Sequence, residues 1–487
     1  MAKPLLLYSF RIRHCPQPPP LKALVSTQVG EGYNVQYVPY VPDLEKRLQD
    51  RYEELVKGHT ATLQDVAAGI RSLPDVGDSF AATQAAWRFF KNEDTTLPVL
   101  MQPLLQLADA AVRSSCSEVA LVACDWSQLH YSRHSSKADR TTLMNRDDLG
   151  YELHTALLVS DVDGSPIAPV HQSLRSAEGL FQSSTDRVRR KLDDAKLDRL
   201  LPVFRFVHRR DWPKPPVFII DREADSVDHY RRWDRAKMWF VVRADDNRVV
   251  LHNGRERLLP QVHQDLRDRG AFRFSREVKY HDREARQYVA EAEVCLHRSG
   301  KSKHGRISKR GKVLRLRLVV TEVRNAEGEV LAYWLLMTNV PPLFDASTVA
   351  LWYYWRWTIE SYFKLAKSAG LELEHWGQTT ALAIAKRLLV GSMACALAWK
   401  ISRSVHPTAP SLRAVLIRLS SRQMKHGVEH TEPALLAGLW ALMQGLALAE
   451  EFDLDHLRQM LQEVLCGPEG PPHPGPSPPN SLPKLLV

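Results

Sequence analysis

LWYYWRWTIESYFKLAKSAG, residues 351–370, is predicted to form one amphipathic helix with two chemically different faces. At roughly 100° per residue, an arc of about 80° collects five polar side chains, and these are Tyr353, Arg356, Glu360, Lys364 and Lys367. The opposite side carries an apolar stripe of Trp352, Trp355, Ile359, Tyr362 and Ala366, which predicts packing onto a core. A carboxylate among cations suits a divalent metal held beside a phosphate backbone. Taken alone, however, a solvated face with ordinary intrahelical ion pairs is the simpler interpretation.

Upstream of this helix the sequence is β-rich, and two of the predicted strands lead into an aspartate. Glu118–Asp125 (EVALVACD) is an apolar run that ends at Asp125, and Pro216–Ile220 (PVFII) is followed directly by Asp221. The other elements expected here are strands over Glu152–Ser160 and Pro166–Ser173 around an Asp163-Gly164 turn, a charged helix over Thr185–Leu200, a helix over Ser226–Arg235 and a strand over Met238–Arg243. Three strands followed by alternating helices and strands predict a mixed α/β sheet covered by helices on both faces. This order is the one that an RNase H-like fold requires.

The carboxylates Asp125, Asp221 and Glu360 are the candidate catalytic and metal-binding residues. Adjacent parallel strands expose their carboxyl ends together, and a flanking helix can add a third side chain. Three carboxylates that meet would repel one another unless divalent cations were bound, and two Mg²⁺ ions can activate an attacking oxygen and stabilise a leaving oxygen of a phosphodiester. Oxygen ligands favour Mg²⁺, with Mn²⁺ as a substitute, over zinc. The alternative for each aspartate is a turn or helix cap, and DREAD at 221–225 could simply be a charged helix start.

The whole chain of 487 residues is long enough for about two to four structural units. The expected boundaries are an N-terminal extension (1–45), a helical DNA-binding domain (46–110), the first part of the RNase H-like catalytic core (111–243), a β-rich insertion (244–337), the second part of the core with the glutamate helix (338–375), a C-terminal helical domain suited to dimerisation (376–466) and a Pro-rich disordered tail (467–487). Packing into a hydrophobic core within one chain explains the C-terminal apolar helices equally well.

The amino-acid composition limits the kinds of binding partner and the cellular compartment that are expected. The formal charge of +10 favours a polyanionic partner, because clustered Lys and Arg neutralise phosphates. Six scattered cysteines without a CxxC pair indicate neither a disulfide framework nor a zinc ribbon, so a reducing cytoplasm fits best. The apolar stretch Leu388–Trp399 spans 12 residues, whereas a membrane span needs roughly 20, so we expect a buried helix and no membrane.

Two further basic features are candidates for contact with DNA. Residues 298–312 contain seven Lys or Arg and no acid, which predicts a loop that either contacts DNA or is merely solvated. In the N-terminal helical region, Arg88 and Lys91 stand beside aromatic residues in SFAATQAAWRFFKN. A compact DNA-contacting bundle and an ordinary helical core are both consistent with that segment.

The spacing Tyr353-x2-Arg356-x3-Glu360-x6-Lys367 resembles the Y-R-E-K motif of DDE transposases of the insertion-sequence-four family. The run Asp221-Arg222-Glu223-Ala224-Asp225 is similar to that family's second-aspartate motif, DWSQLHYSRH from Asp125 to its first-aspartate region, and SFAATQAAWRFFKN to its N-terminal DNA-binding segment. Trp87 stands where the family more usually has tyrosine. The resemblance covers roughly residues 50–400.

This resemblance implies an RNase H-like core in which Asp125, Asp221 and Glu360 bind two Mg²⁺ ions. It implies a homodimer on paired transposon ends that cuts double-stranded DNA through a hairpin intermediate and joins the freed 3′ hydroxyl to target DNA. By position, Arg243, Tyr353, Arg356, Lys364 and Lys367 would hold phosphates, and Trp334 would stack on a flipped base. A core position for Trp334 and a surface ion pair for Arg243 remain the alternatives.

The resulting expectation is a nucleoid-associated cytoplasmic transposase that acts on terminal inverted repeats. A structure-selective nuclease on the same fold is the second hypothesis, and a catalytically silent transposase-derived DNA-binding protein is the third. Intact carboxylates at all three positions argue against the silent form.

Overall fold

The computed structural model describes residues 37–62, 79–190, 195–281, 283–298 and 312–466. The tail 467–487, most of the N-terminal extension and nearly all of the basic loop 298–312 lie outside the described residues, so those predictions stay predictions. The chain divides into a unit of residues 1–441 and a second of residues 442–487.

Helices come first in the larger unit, and they are α1 (Lys46–Gly58), α2 (Ser79–Lys91) and α3 (Leu97–Ser115). Thr96 caps helix α3 by accepting a hydrogen bond from the Val99 amide at 3.4 Å. Its buried face is largely leucine and alanine, and it packs on the sheet that follows.

Within the described residues, fourteen strands form one continuous sheet. Its first half contains β1 (Ala120–His130), β2 (Thr141–Thr142), β3 (Leu149–Ser160), β4 (Pro166–Ser176), β5 (Gly179–Gln182) and β6 (Thr185–Arg189), then α4 (Leu200–His208), β7 (Pro216–Ile220), α5 (Val227–Arg235) and β8 (Trp239–Arg243). Strands β1, β3 and β4 are antiparallel neighbours, whereas β7 runs parallel to β1 and β8 parallel to β7. The order β4-β3-β1-β7-β8 with these directions is the RNase H-like arrangement that the sequence predicts.

The segment after β8 extends the same sheet. It contains β9 (Val249–His252), β10 (Arg255–Leu258), α6 (Leu259–Asp268), β11 (Arg273–Tyr280), β12 (Arg283–Leu296), β13 (Leu314–Arg324) and β14 (Val330–Thr338). The segment is β-rich, as predicted, and it also contains the helix α6, which was not predicted. Because β14 pairs with β8, the inserted strands continue the core sheet.

Two predicted elements in the first half are wrong in their extent or type. Strand β1 continues to His130, so Asp125 lies inside the strand, because β1 stays paired with β3 along its whole length. Thr185–Arg189 is a strand, where a helix was expected, because it pairs with β5 across a short turn and forms the edge of the sheet. Charged side chains are well tolerated on such an edge.

The helix predicted over residues 351–370 is divided. Helix α7 (Ala346–Trp355) ends at a turn of Arg356 and Trp357, α8 (Thr358–Lys364) follows, and Leu365–Ala369 forms a wider π-helical turn. The apolar stripe is confirmed, since all five of its members are buried. The polar residues consequently come from two short helices and the turns beside them.

The C-terminal helices are α9 (Ala381–Arg403), α10 (Ala409–Leu419), α11 (Glu432–Glu451) and α12 (Leu454–Cys466). Both α9 and α11 are long and apolar enough to cross a membrane by length and composition alone. The apolar window of α9 is 89% buried within the protein, which confirms the predicted buried helix, while that of α11 is 28% buried.

Candidate metal and nucleic-acid site

Strand register brings Asp125 and Asp221 to neighbouring positions. The parallel pairing of β1 with β7 ends at Cys124 opposite Ile220, so the next residue on each strand is an aspartate. Asp221 leaves the sheet there and accepts a hydrogen bond from the Glu223 amide at 3.0 Å, which starts a short turn. Asp125 stays in β1 and lies opposite Thr155 of β3. The juxtaposition expected from the ends of parallel strands therefore survives although β1 runs on.

Arg356 joins this pair of strands to α8. Its guanidinium donates to Asp125 Oδ2 at 2.8 Å and to Glu360 Oε1 at 2.8 Å. The Arg356 side chain is only 6% exposed, so both contacts lie largely out of solvent. Asp125 and Glu360, which are far apart in the sequence, are thus held by one cation.

The electrostatics of the three carboxyl groups are coupled. Burial raises the pKa of Asp125 to about 6, although Arg356 opposes the shift, and the nearby Asp221 raises it further. The pKa of Asp221 is raised by burial and by Glu223, and that of Glu360 is raised by burial and by Asp221 against the opposing effect of Arg356. Burial works to lower the pKa of Arg356, but Tyr353, Asp125 and Glu360 outweigh it and raise that pKa. The site therefore favours a positive charge among its carboxylates.

The donor set fits a hard divalent cation by its chemistry. Carboxylate oxygens are the ligands that Mg²⁺ and Mn²⁺ prefer, and the position between Asp125 and Glu360 already stabilises a cation. Among the residues that the structure describes, no group of three or more His, Cys, Asp and Glu side chains is arranged to enclose a metal ion. Asp125 and Glu360 are instead both hydrogen-bonded to the Arg356 guanidinium.

The residues predicted to hold DNA fall into buried and accessible groups. Tyr353 is buried, and its pKa is raised chiefly by burial while Arg356 and Arg243 oppose that shift, which places it beside both arginines. Lys364 is exposed at the end of α8, whereas Lys367 is partly buried. Lys367 donates to the Gln128 carbonyl at 2.5 Å and pairs with Glu374 at 3.3 Å. Lys364 is thus the most accessible of the three cations predicted on this segment.

Trp334 and Arg243 lie on the inserted and core strands at their junction. Arg243 is opposite Leu336, so Trp334 stands two residues further along β14 on the same face of the sheet. Both side chains are partly exposed. Arg88 and Lys91 lie separately on α2, where both side chains are exposed and the Lys91 ammonium is 5.7 Å from the centre of the Trp87 ring. The structure thus leaves all four side chains accessible in part or in full.

Sequence reasoning missed Lys196 and Arg248. The Lys196 ammonium lies 4.4 Å from the centre of the Trp126 ring, pairs with Glu223 at 2.5 Å and works to lower the pKa of Asp221. Arg248 donates to both oxygens of Asp225 at 3.1 and 3.2 Å. The DREAD motif pointed to Asp225, but nothing in the pattern identified its partner. Lys196 was missed because its segment was predicted as one long charged helix.

The strand order defines an RNase H-like α/β protein, and Asp125 and Glu360 on Arg356, with Asp221 on the neighbouring strand, form a candidate metal site at the carboxyl end of β7. Residues 194–394 match the family described as transposase DDE domain, so this part of the chain is similar to such domains. Asp221 and Glu360 lie inside the matched residues, and Asp125 lies before them.

No curated protein matches the sequence. Among solved structures, the chain is similar to the cryo-EM structure of a piggyBac transposase synaptic complex with hairpin DNA. The similarity has 9% identity and a TM-score of 0.35, and covers 88% of this chain and 76% of that one.

Proposed function

We propose that this protein is a DNA transposase that cuts the ends of a mobile element and joins them to target DNA. The observation that carries the proposal is the pairing of Asp125 and Glu360 with Arg356, next to Asp221 at the carboxyl end of the neighbouring strand of an RNase H-like sheet. The match of residues 194–394 to transposase DDE domains supports it independently of that geometry. The formal charge of +10 supports a polyanionic substrate.

Asp125, Asp221 and Glu360 would hold the divalent cations, Mg²⁺ or Mn²⁺. When bound, such cations make an oxygen nucleophile available at neutral pH and stabilise the charge on the phosphorus oxygens. The contribution of Arg356 is to orient Asp125 and Glu360 and to balance their charge before substrate arrives. Lys364, exposed one turn beyond Glu360, offers a cation to a phosphate of the DNA backbone.

The finer features of the reaction follow from the resemblance of the motifs. We propose that cleavage proceeds through a hairpin, that Trp334 stacks on a base extruded from the duplex, and that Arg243, Tyr353, Arg356 and Lys367 complete the phosphate contacts. Stacking would offset part of the few kcal/mol needed to extrude a base. Arg88 and Lys91 of α2 would contact the terminal repeat. The protein would act as a homodimer on paired ends in the cytoplasm, where the chromosome lies.

A strand-transfer assay with precut 3′-hydroxyl ends tests this function against simple nuclease activity. The terminal inverted repeats are taken from the DNA flanking the gene, and the products are resolved on denaturing gels in Mg²⁺. The wild-type protein is expected to join the ends to target DNA. Asp221→Asn should abolish joining and keep end binding, whereas Asp147→Asn, at an exposed aspartate in the turn before β3, should leave joining unchanged. Hydrolysis without joining would refute the transposase and favour the nuclease.

A further inference from the structure

A closed ring of buried hydrogen bonds lies behind the candidate site. Gln172 Nε2 of β4 donates to the Tyr362 hydroxyl at 2.6 Å, and the Ser392 hydroxyl of α9 donates to Gln172 Oε1 at 3.4 Å. The Tyr362 and Ser392 oxygens are 2.8 Å apart, so the tyrosine completes the ring by donating to the serine. All three side chains are buried. We call Tyr362, Gln172 and Ser392 the polar ring.

The polar ring connects the elements that carry two of the three carboxylates. Tyr362 is two residues beyond Glu360 in α8. Gln172 lies opposite Thr155 in the pairing of β4 with β3, and its amide also donates to the Thr155 hydroxyl at 3.5 Å. Thr155 is in turn the cross-strand neighbour of Asp125. A chain of direct contacts thus runs from the strand of Asp125 to the helix of Glu360.

Helix α8 depends on such contacts for its orientation. It has seven residues, the Arg356–Trp357 turn separates it from α7, and a π-helical turn follows it. A helix this short has little stability of its own and is held by tertiary packing. Ile359 and Phe363 are buried beside Tyr362, but apolar burial is non-directional. The hydrogen bonds of Tyr362 supply a directional part of the attachment, beside the Arg356 bridge to Asp125 and the hydrogen bond from Thr358 Oγ1 to the Gly164 carbonyl at 3.0 Å.

The simpler interpretation is that the polar ring only satisfies buried polar atoms. Three apolar side chains of similar volume would fill the same space without any need for partners, and a fully satisfied buried network is the arrangement that fixes a unique orientation. The ring is linked to the helix of Glu360 through Tyr362 and to the cross-strand neighbour of Asp125 through Thr155, which makes that orientation relevant to the site.

We propose that the polar ring sets the position of Glu360 relative to Asp125 and so determines how tightly the site binds a divalent cation. Tyr362, Gln172 and Ser392 are positioning residues, since none of them supplies a ligand. This inference rests on the proposed function, because it assumes that Asp125 and Glu360 share a cation.

Calorimetric titration of the full chain with Mn²⁺ tests the inference, with the wild-type protein compared with Tyr362→Phe. Groups that hydrogen-bond directly to metal ligands typically contribute 10- to 100-fold to affinity. Tyr362 acts through the orientation of α8, so we expect the lower end of that range, Mn²⁺ binding about tenfold weaker in Tyr362→Phe. Tyr151→Phe is the matched control, because it also removes a buried tyrosine hydroxyl, one that donates to Asp139 at 2.5 Å. Both variants should lower Tm, but only Tyr362→Phe should weaken Mn²⁺ binding.

Ser392→Ala is the second variant, and it should also weaken Mn²⁺ binding while keeping a good helix former in α9. Because both residues belong to one ring, the double variant should lose less affinity than the product of the two single losses. Wild-type affinity in Tyr362→Phe or in Ser392→Ala overturns the inference, and so does equal weakening in Tyr151→Phe. Absence of Mn²⁺ binding in the wild-type protein would refute the proposed function itself, and the positioning role with it.

Discussion

Replacing Asp125 by asparagine should stabilise the folded protein at neutral pH while it removes a carboxylate that we propose as a metal ligand. The asparagine side chain would keep the shape of the aspartate and an oxygen for Arg356 but would carry no charge. Burial raises the pKa of Asp125 from 3.8 to about 6, so the ionised carboxylate is disfavoured in the folded state. A shift of about 2 units corresponds to about 3 kcal/mol, which is the upper limit of the gain. The side chain is 16% exposed, so solvent screening is limited.

The sign of the pH dependence follows from the direction of that shift. Between pH 3.8 and about 6 the folded state keeps the Asp125 proton that the unfolded chain has released. Wild-type stability therefore falls as pH rises through this window, by linkage. Asp125→Asn lacks this titration, so its advantage should appear above about pH 6 and vanish below about pH 4.

Guanidinium unfolding in EDTA, at pH 7.5 and at pH 4, measures this difference. We expect Asp125→Asn to be more stable by about 1–3 kcal/mol at pH 7.5 and equal to the wild-type protein at pH 4. Added Mg²⁺ should stabilise the wild-type protein and should have less effect on the variant, because a bound ligand stabilises only the state that binds it. A variant that is less stable at pH 7.5, or a difference that does not change with pH, would refute the reasoning.

Three further substitutions test contacts outside the carboxylate cluster. Arg248→Gln should cost about 3–5 kcal/mol in a denaturant titration, because it leaves the 3%-exposed Asp225 carboxylate without its cation; a loss below about 1 kcal/mol would contradict that role. Lys386→Met should lower the free energy of unfolding by about 1–3 kcal/mol and speed hydrogen exchange in α2, because the Lys386 ammonium donates to two main-chain carbonyls at the end of that helix at 3.0 Å. Unchanged hydrogen exchange would contradict this role of Lys386. Gly438→Ala should lower Tm, because the added Cβ would lie 2.0 Å from the Leu416 carbonyl oxygen and overpacking of this kind costs about 1–3 kcal/mol. An unaltered Tm would show that α10 and α11 are not so close.

The sequence was most informative for strands and turns that are specified by short-range residue patterns. The Asp163-Gly164 turn, the strands around it and the apolar strand before Asp221 were all predictable from alternation and turn chemistry. The neighbourhood of Asp125 and Asp221 followed from the rule that parallel strands end together.

Features that depend on distant partners were not predictable. The polar residues after Asp125 remain in strand β1 because β3 supplies backbone hydrogen-bond partners along the whole of β1. The side-chain pattern does not encode this pairing. The break at Arg356 accompanies an ion pair with Asp125, a residue 231 positions away. The polar ring joins Tyr362 to partners on β4 and α9, and periodicity alone assigned this tyrosine only to an apolar stripe.

We predict that Asp125, Asp221 and Glu360 bind the same divalent cations. Iron-mediated cleavage of the protein backbone measures this directly, because Fe²⁺ bound in place of Mg²⁺ generates radicals that cut the nearest peptide bonds. We predict cuts close to residues 125, 221 and 360 in the wild-type protein, suppressed by excess Mg²⁺ and lost in Glu360→Gln. Cuts confined to other parts of the chain, or the same cuts in Glu360→Gln, would contradict the shared site.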